Sequence, residues 1–231
     1  MLYGGNTMKR TKLKDRELPR YTRGEEIANM VTHIVGGAIG IVALVLCVVF
    51  ASINRNVYGI VSASIFGCMM ILLYTISSIY HGLSPKRTSK KVFQVLDHCT
   101  IFLLIAGTYT PVILCSIREY NSTIGWTLFG VVWGIAILGV VLNAIDLRKY
   151  RVFSMICYIG LGWCILALYP KINMFLDKGA IVLLVLGGIA YTVGAILYGI
   201  GVKKRYFHTI FHIFVDIGSL LHFLCILLYI I

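Results

Sequence analysis

The sequence is poor in charged residues, and above all in acidic ones. Only 13% of its 231 residues are charged, just nine are Asp or Glu, and 59% are hydrophobic. A chain of this composition cannot supply the polar surface that a soluble globular domain presents to water. We therefore expect an integral membrane protein.

Signals for disulfide bonding and for secretion are also lacking. The seven cysteines are odd in number, fall mostly within apolar stretches and show no CxxC spacing. This pattern argues against a disulfide framework and favours roles as small packing residues. Residues 1–32 contain no apolar core of the kind a signal peptide needs, so we expect none.

Long apolar stretches dominate the sequence instead. Seven can be distinguished, at 33–53, 58–82, 94–115, 125–145, 152–169, 179–201 and 208–231. Each approaches or exceeds the ~20 residues that a helix needs to cross ~30 Å of hydrocarbon, and 152–169 is the shortest. The sequence predicts an all-α fold: a bundle of seven transmembrane helices over residues 24–231, preceded by a basic tail over residues 1–23.

The distribution of basic residues predicts the orientation of this bundle. The net charge of +12 might suggest a nucleic-acid partner, but 17 of the 21 Lys and Arg precede the first span or follow the second, fourth and sixth. By the positive-inside rule, the N-terminus is cytoplasmic and the C-terminus extracellular. We expect a multi-pass protein of the plasma membrane whose partners are membrane lipids, anionic ones included, and not nucleic acids.

Polar side chains converge at the predicted cytoplasmic end of the bundle. Ser77 and His81 close the second span, Asp97 begins the third, and His208 and His212 begin the seventh. Residues i and i+4 share a helix face. Three neutral imidazoles hold a zinc ion with one position open to water, which is the layout of a catalytic site. Asp97 is the best candidate for a general base, or for orienting a ligand histidine.

Several other polar residues in the spans have no single predicted role. His98 is rotated by about 100° from the preceding aspartate, so the two would do different jobs if both are buried. His222 lies near mid-membrane, where we expect packing or hydrogen bonding. Asp216 could bind protons or ions, or could cap a polar cavity, and both alternatives stay open. The spacing of Gly36 and Gly40 predicts close helix packing.

Four ordered motifs resemble those of a known family. The motifs are Glu26-x-x-Asn29-x-x-Thr32-His33-x-x-Gly36, Ser77-Ser78-Ile79-Tyr80-His81, Leu96-Asp97-His98-Cys99-Thr100-Ile101-Phe102 with Gly107-Thr108-Tyr109-Thr110-Pro111, and His208-x-x-x-His212 with Gly218-Ser219-Leu220-Leu221-His222-Phe223. Together they are similar to the bacterial hemolysin III proteins, the prokaryotic branch of the progestin and adipoQ receptor family. The resemblance covers essentially residues 24–231.

The resemblance implies a seven-helix fold with a cytoplasmic N-terminus, topologically opposite to that of G-protein-coupled receptors. It implies a zinc ion held by His81, His208 and His212. Asp97 would lie near the zinc-bound water, and Ser77 one turn from the first ligand. Related receptors and alkaline ceramidases share this set of residues and are considered lipid-amide hydrolases or candidates for that activity.

The first motif carries a different implication. The residue matching His33 is structural in the family rather than a metal ligand. Glu26 and Asn29 lie on one helix face with His33 and would pin a short interfacial helix below the site. Asp216 has no counterpart in the family pattern, so the resemblance gives it no role.

Three functions follow as alternatives. The first is an intramembrane zinc hydrolase acting on a lipid amide or ester. The second is a pore-forming, membrane-lytic protein, which would require a homo-oligomer or a path through one bundle that uses Asp216 and His222. The third is a sensor or regulator of membrane state in which zinc is structural and nothing is turned over.

Overall fold

The structure is a computed structural model that describes residues 10–200 and 204–231. Lys9 and Lys203, which contribute to the charge pattern, lie outside these ranges. The described chain is all-α, as predicted, with seven α-helices of at least 12 residues. They are α1 (Arg23–Ile53), α2 (Val57–Gly82), α3 (Thr88–Pro111), α4 (Ser122–Asp146), α5 (Arg151–Gly162), α6 (Lys178–Ile200) and α7 (Phe207–Cys225). Helical turns continue α3 to Tyr120 and α7 to Ile230.

Helix α1 begins ten residues before the first apolar stretch because its N-terminus is capped. The Thr22 hydroxyl accepts a hydrogen bond from the Glu25 N–H, and the Glu25 carboxylate accepts one from the Thr22 N–H, which forms a capping box. Glu25 also accepts a hydrogen bond of 2.8 Å from the N–H of Tyr206, just before α7. The predicted short interfacial helix is therefore wrong, since Glu26 and Asn29 belong to one continuous helix of 31 residues.

The predicted fifth span consists of two helical segments rather than one. Helix α5 has 12 residues, too few to cross a bilayer alone, and the 3-10 helix Cys164–Met174 follows it. Arg151, at the start of α5, borders the same cavity as His208 at the start of α7. Gly179, at the start of α6, packs against Tyr229 near the opposite end of α7. The chain thus traverses the bundle seven times, and six of the crossings are long apolar helices.

The bundle is apolar outside and partly polar inside, as expected for a protein surrounded by lipid. Along α1, Ile27, Val31 and Ile34 are about half exposed, whereas Asn29 and His33 on the opposite face are buried. The span containing α3 is the central one. In its most apolar stretch of 18 residues 78% is buried, whereas the corresponding share in the other five long spans is 22% to 44%. Most of the apolar part of this span is therefore enclosed by neighbouring helices.

The helices that carry the predicted site pack closely. A Cβ atom at Gly36 would lie 2.5 Å from Asp216 Oδ1 and from Tyr74 Cε1, and one at Gly40 would lie 3.2 Å from Met70 Cβ. These approaches confirm the close packing predicted from the glycine spacing. The starts of α1, α3, α5 and α7 and the ends of α2, α4 and α6 lie at one end of the bundle, which we call the histidine end.

The N-terminal segment before α1 is packed against the histidine end. The Thr11 N–H donates to Asp146 Oδ2 at 2.7 Å, and Arg10 Nε donates to the Ile145 carbonyl at 2.9 Å. Both acceptors lie at the end of α4. Residues 10–22 therefore cover part of this end of the bundle and contribute side chains to its cavities.

Candidate metal centre

Three histidines from two helices form a cluster that could hold a metal ion. His81 lies in the last turn of α2, and His208 and His212 lie in the first two turns of α7. One ligand nitrogen from each ring lies within 4.8 Å of the other two. The structure thus brings together the three residues predicted as zinc ligands, at the depth of one helical turn from the end of the bundle.

A partly buried carboxylate and a buried ammonium orient His81. The His81 Nδ1–H donates to Glu26 Oε2 at 2.7 Å, and the other carboxylate oxygen of Glu26 accepts from Lys90 Nζ at 2.7 Å. Lys90 is only 1% exposed. Fixing the proton on Nδ1 leaves Nε2 as an unprotonated nitrogen, and a carboxylate on the far nitrogen is the usual partner of a metal-binding histidine. Glu26 therefore orients His81 Nε2 as a ligand atom.

Backbone and side-chain groups of α1 orient His212 in the same way. The His212 Nδ1–H donates to the Asn29 carbonyl at 3.2 Å, and the Asn29 side-chain carbonyl accepts from Thr209 Oγ1 at 2.5 Å. His212 Nε2 then faces His208 Nε2 at 3.1 Å. With its proton on Nδ1, His212 also presents an unprotonated Nε2 towards the centre of the cluster.

The buried nitrogens of the cluster fit a metal ion. Within the described residues, His81 Nε2 is buried and has no hydrogen-bond partner, and a metal ion would be a partner for it. Two nitrogens of a tetrahedral zinc site are about 3.4 Å apart, given Zn–N bonds of about 2.0–2.1 Å. The distance of 3.1 Å between the Nε2 atoms of His208 and His212 is close to this value. No two of the three ligand nitrogens are more than 4.8 Å apart, so metal binding would shorten any of these distances by at most about 1.4 Å.

Ser77 and Asp97 border an apolar cavity beside the cluster. The cavity has a volume of about 160 Å³, and its walls include Ser77, Asp97, His208 and His212. The Ser77 hydroxyl is buried and has no hydrogen-bond partner among the described residues. The remaining wall is largely apolar and aromatic and extends along the interior towards His222. Both predicted non-ligand residues therefore face the space next to the ligands.

Two further rings enclose the histidines. The ring of His33 stacks on that of His212, with centroids 3.6 Å apart, and contributes no atom to the ligand cluster. Tyr21, from the N-terminal segment, stacks on His208 with centroids 5.0 Å apart. Burial raises the pKa of the Tyr21 phenol, and the nearby charges of Tyr198 and Asp97 add to the shift, so the phenol stays neutral. His33 and Tyr21 thus cover the rings of His212 and His208, respectively.

A second polar group lies deeper in the bundle. The Ser219 hydroxyl is hydrogen-bonded to Tyr74 OH at 2.6 Å and to Tyr191 OH at 2.7 Å, and Asp216 Oδ1 is buried nearby. His222 Nε2–H donates to the Leu184 carbonyl at 3.1 Å, which confirms the hydrogen-bonding role predicted for it. These residues join α2, α6 and α7.

The contact between Glu26 and Lys90 could not be predicted from the sequence patterns. In the charge pattern Lys90 is one of four basic residues between the second and third apolar stretches, where a solvated side chain is the ordinary expectation. The structure buries it against the α2 terminus, with Nζ donating to the Leu83 carbonyl at 2.9 Å. His98 Nδ1–H donates to the Gln94 carbonyl within its own helix, 2.9 Å away, and is not a member of the metal cluster.

Comparisons with known proteins agree on one relationship. A family model described as haemolysin-III related matches residues 21–223. Hemolysin-3 of Bacillus cereus is 37% identical over 206 residues, covering 89% of this chain and 92% of that protein. A Hemolysin-3 homolog of Bacillus subtilis is 38% identical over 209 residues, covering 90% and 96%. The human monocyte to macrophage differentiation factor is 24% identical over 209 residues, covering 87% and 83%.

Proposed function

The chain belongs to the haemolysin-III related family, and on that premise we propose that it is an intramembrane zinc hydrolase that cleaves an amide or ester bond of a membrane lipid. The observation that carries the proposal is the cluster of His81, His208 and His212, whose ligand atoms lie within 4.8 Å of one another. The Asp97 carboxyl group borders the cavity beside it.

Zinc is the metal that best suits this ligand set. Three neutral imidazoles and no sulfur ligand are typical of zinc sites that keep one position open for water or substrate. A zinc ion bound here would act as a Lewis acid that polarises a carbonyl and lowers the pKa of a bound water. The hydrogen bond from His81 to Glu26 supports this choice, because it fixes the tautomer that a zinc ligand needs.

The chain's own residues would divide the remaining work. Asp97 would accept a proton from the attacking water and return it to the leaving nitrogen or oxygen. Ser77, whose buried hydroxyl lacks a partner among the described residues, would donate a hydrogen bond to the developing oxyanion. Tyr21 and His33, stacked on two of the ligand rings, would exclude bulk water and hold those rings in place.

The position of the cavity supports a lipid as the substrate. Its walls are largely apolar, and it lies among helices whose outer faces are themselves apolar. An acyl chain is the ligand that such a space accepts, since burying hydrocarbon there gains about 25 cal/mol per Å² without unsatisfied polar groups. The polar groups at its histidine end would then meet the first polar bond of the lipid. An acyl amide or ester fits that description.

The experiment combines metal content with turnover. We expect the purified chain to hold about one zinc ion per molecule and to release fatty acid from lipid vesicles, and we expect His208→Ala and His212→Ala to lose both properties. His222→Gln, which can still donate to the Leu184 carbonyl and lies outside the ligand cluster, is the matched control for metal content and should keep the zinc ion. Stoichiometric zinc in a His208→Ala, His212→Ala double variant would contradict the assignment of the ligands.

Asp97→Asn separates hydrolysis from a regulatory role. We expect this variant to retain zinc, because Asp97 is not in the ligand cluster, and to lose turnover. A sensor or regulator with structural zinc predicts instead that the cellular phenotype is unchanged in Asp97→Asn. An unchanged phenotype together with retained zinc would therefore favour regulation over hydrolysis.

Membrane lysis is the second candidate function, and the names of the relatives favour it: two of them are called Hemolysin-3 or its homolog. A lytic pore would use polar groups deep in the bundle, of which Asp216 is the buried acid. Dye release from vesicles distinguishes the two functions. Release that is lost in Asp216→Asn but unaffected in His212→Ala would favour the pore, and the opposite pattern favours the hydrolase.

A further inference from the structure

A larger and strongly basic cavity adjoins the metal cluster on the histidine end. Its volume is about 780 Å³, and its walls come from the N-terminal segment, α3, the connection between α4 and α5, and the start of α7. Six cationic side chains border it: Arg16, Arg20, Arg148, Arg151, Lys204 and Arg205. We call it the arginine cavity. Three acidic residues, Asp15, Glu17 and Glu25, also border it, which leaves an excess of three positive charges (six minus three).

Arg16 is the distinctive residue of this cavity. Its Nε and Nη1 atoms are buried, and neither has a hydrogen-bond partner among the described residues. A buried guanidinium without acceptors is costly, because it has lost its water and gained nothing in exchange. The two atoms are charged donors, and an anion such as a phosphate group is the kind of acceptor that a guanidinium binds best. An anion in the cavity would supply the missing acceptors.

Two nearby carboxylates, those of Glu25 and Asp146, already have partners. Glu25 already accepts hydrogen bonds from Thr22 and from the Tyr206 N–H. Asp146 accepts from the N–H groups of Thr11, Arg148 and Lys149. In the described ranges, the ion pairs join Glu26 to Lys90 and to His81, and Asp97 to His98, and none involves Arg16. Asp15 and Glu17, which flank Arg16 in the sequence, form no ion pair with it either, so an external anion is the acceptor that could satisfy Arg16.

The arginine cavity and the apolar cavity share a wall. His98, Met155, Tyr158, Tyr198 and His208 border both. A ligand with a phosphate at one end and an acyl chain at the other could fill both cavities at once. The bond between its two halves would then lie beside His208. A free phosphate or a nucleotide would use the basic cavity and leave the apolar one unexplained.

We propose that the arginine cavity binds the phosphate of an anionic lipid whose acyl chain occupies the apolar cavity. The binding site is inferred from the two cavities and their lining residues, without reference to any catalytic activity. Naming this phospholipid as the substrate rests on the proposed function, since the ester that links the acyl chain to the glycerol would be the bond next to the metal ligands.

The test measures binding rather than turnover. The full chain in detergent is titrated calorimetrically with dioctanoyl phosphatidic acid, with dioctanoylglycerol, which lacks the phosphate, and with inorganic phosphate. We expect the phosphatidic acid to bind at least about tenfold more tightly than either of the others. Arg16→Gln should weaken its binding about tenfold or more, because a charge-assisted pair is lost. Arg148→Gln should weaken it less, since that side chain is exposed.

The matched control is Arg87→Gln, which removes the same charge from an exposed position that does not border the cavity. We expect its affinity to stay within about twofold of that of the unaltered chain, since exposed charges contribute little. Equal binding of dioctanoylglycerol, or equal losses in the Arg16 and Arg87 variants, would overturn the proposal. Inorganic phosphate that binds as tightly as the lipid would show a soluble anion to be the ligand and would also overturn it.

Binding of the lipid phosphate can be tested independently of the proposed hydrolase activity. Titrations of the chelator-treated chain and of His212→Ala report on the headgroup site without any metal chemistry. Tight, Arg16-dependent binding in these samples supports the lipid site even if the chain proves to hold no zinc. Loss of binding on metal removal would mean that the ligand is held by the metal and not by the arginines, which contradicts the proposal.

Discussion

Glu26→Gln is the substitution that tests the metal centre most directly without touching a ligand. The Glu26 carboxylate joins His81 Nδ1 and Lys90 Nζ, each at 2.7 Å. A glutamine keeps the size of the side chain but removes the charge. Loss of the carboxylate partner of a ligand histidine typically weakens metal binding by about 10- to 100-fold, so we expect a loss of that size for zinc.

The same substitution should also lower stability. Lys90 is 1% exposed and would keep its charge without the carboxylate. Removing one member of a buried ion pair costs about 3–5 kcal/mol. Lys90 Nζ still donates to the carbonyl oxygens of Leu83 and His81, so we expect the lower end of this range. The double variant Glu26→Gln, Lys90→Met removes the unpaired charge and should recover most of the stability, while zinc affinity stays low.

Two measurements separate these effects. Zinc affinity is obtained by competition with chelators of graded strength, with retained metal determined by mass spectrometry, and stability from thermal unfolding in detergent. The expected result is weak zinc binding in both variants and low stability in the single variant only. If the double variant regained wild-type zinc affinity along with its stability, Glu26 would serve folding alone, and its assigned role in orienting His81 would be wrong.

Two further predictions concern packing and topology. Gly36→Ala should destabilise the bundle by about 1–3 kcal/mol in the thermal unfolding assay, because the new Cβ would lie 2.5 Å from side-chain atoms of Tyr74 and Asp216. Gly37→Ala is the control: its new Cβ would have its nearest contact at 3.7 Å, so we expect no change in stability. Reporter domains fused to the two termini should be active on opposite sides of the membrane, the N-terminal one in the cytoplasm; activity on the same side would contradict the predicted orientation.

The features of the fold and of the site that depend on local periodicity could be predicted from the sequence. The pairing of Ser77 with His81, and of His208 with His212, follows from four-residue spacing on a helix, and the structure brings both pairs to one cavity region. The seven apolar stretches likewise gave the number of traversals. Hydropathy does not distinguish an α-helix from a 3-10 helix, so the sequence could not show that the fifth crossing changes helix type after Gly162.

Contacts between distant residues were not predictable from these patterns. Lys90 and Glu26 are 64 positions apart, and their pairing depends on how the end of α2 meets the starts of α1 and α3. Arg16 counted only as one charge of the basic tail, and its burial depends on the N-terminal segment packing against the end of α4. Such contacts require the three-dimensional arrangement of the helices.

The adjacent carboxylates of Glu25 and Glu26 connect the first turn of α1 to two other parts of the bundle. One fixes the backbone just before α7 through Tyr206, and the other fixes the ligand ring on α2 through His81. A tilt of α1 would displace both attachments together and change the spacing of the imidazoles. Since the outer face of this helix lies against lipid, the thickness of the surrounding bilayer would influence how tightly the three histidines could hold a metal ion.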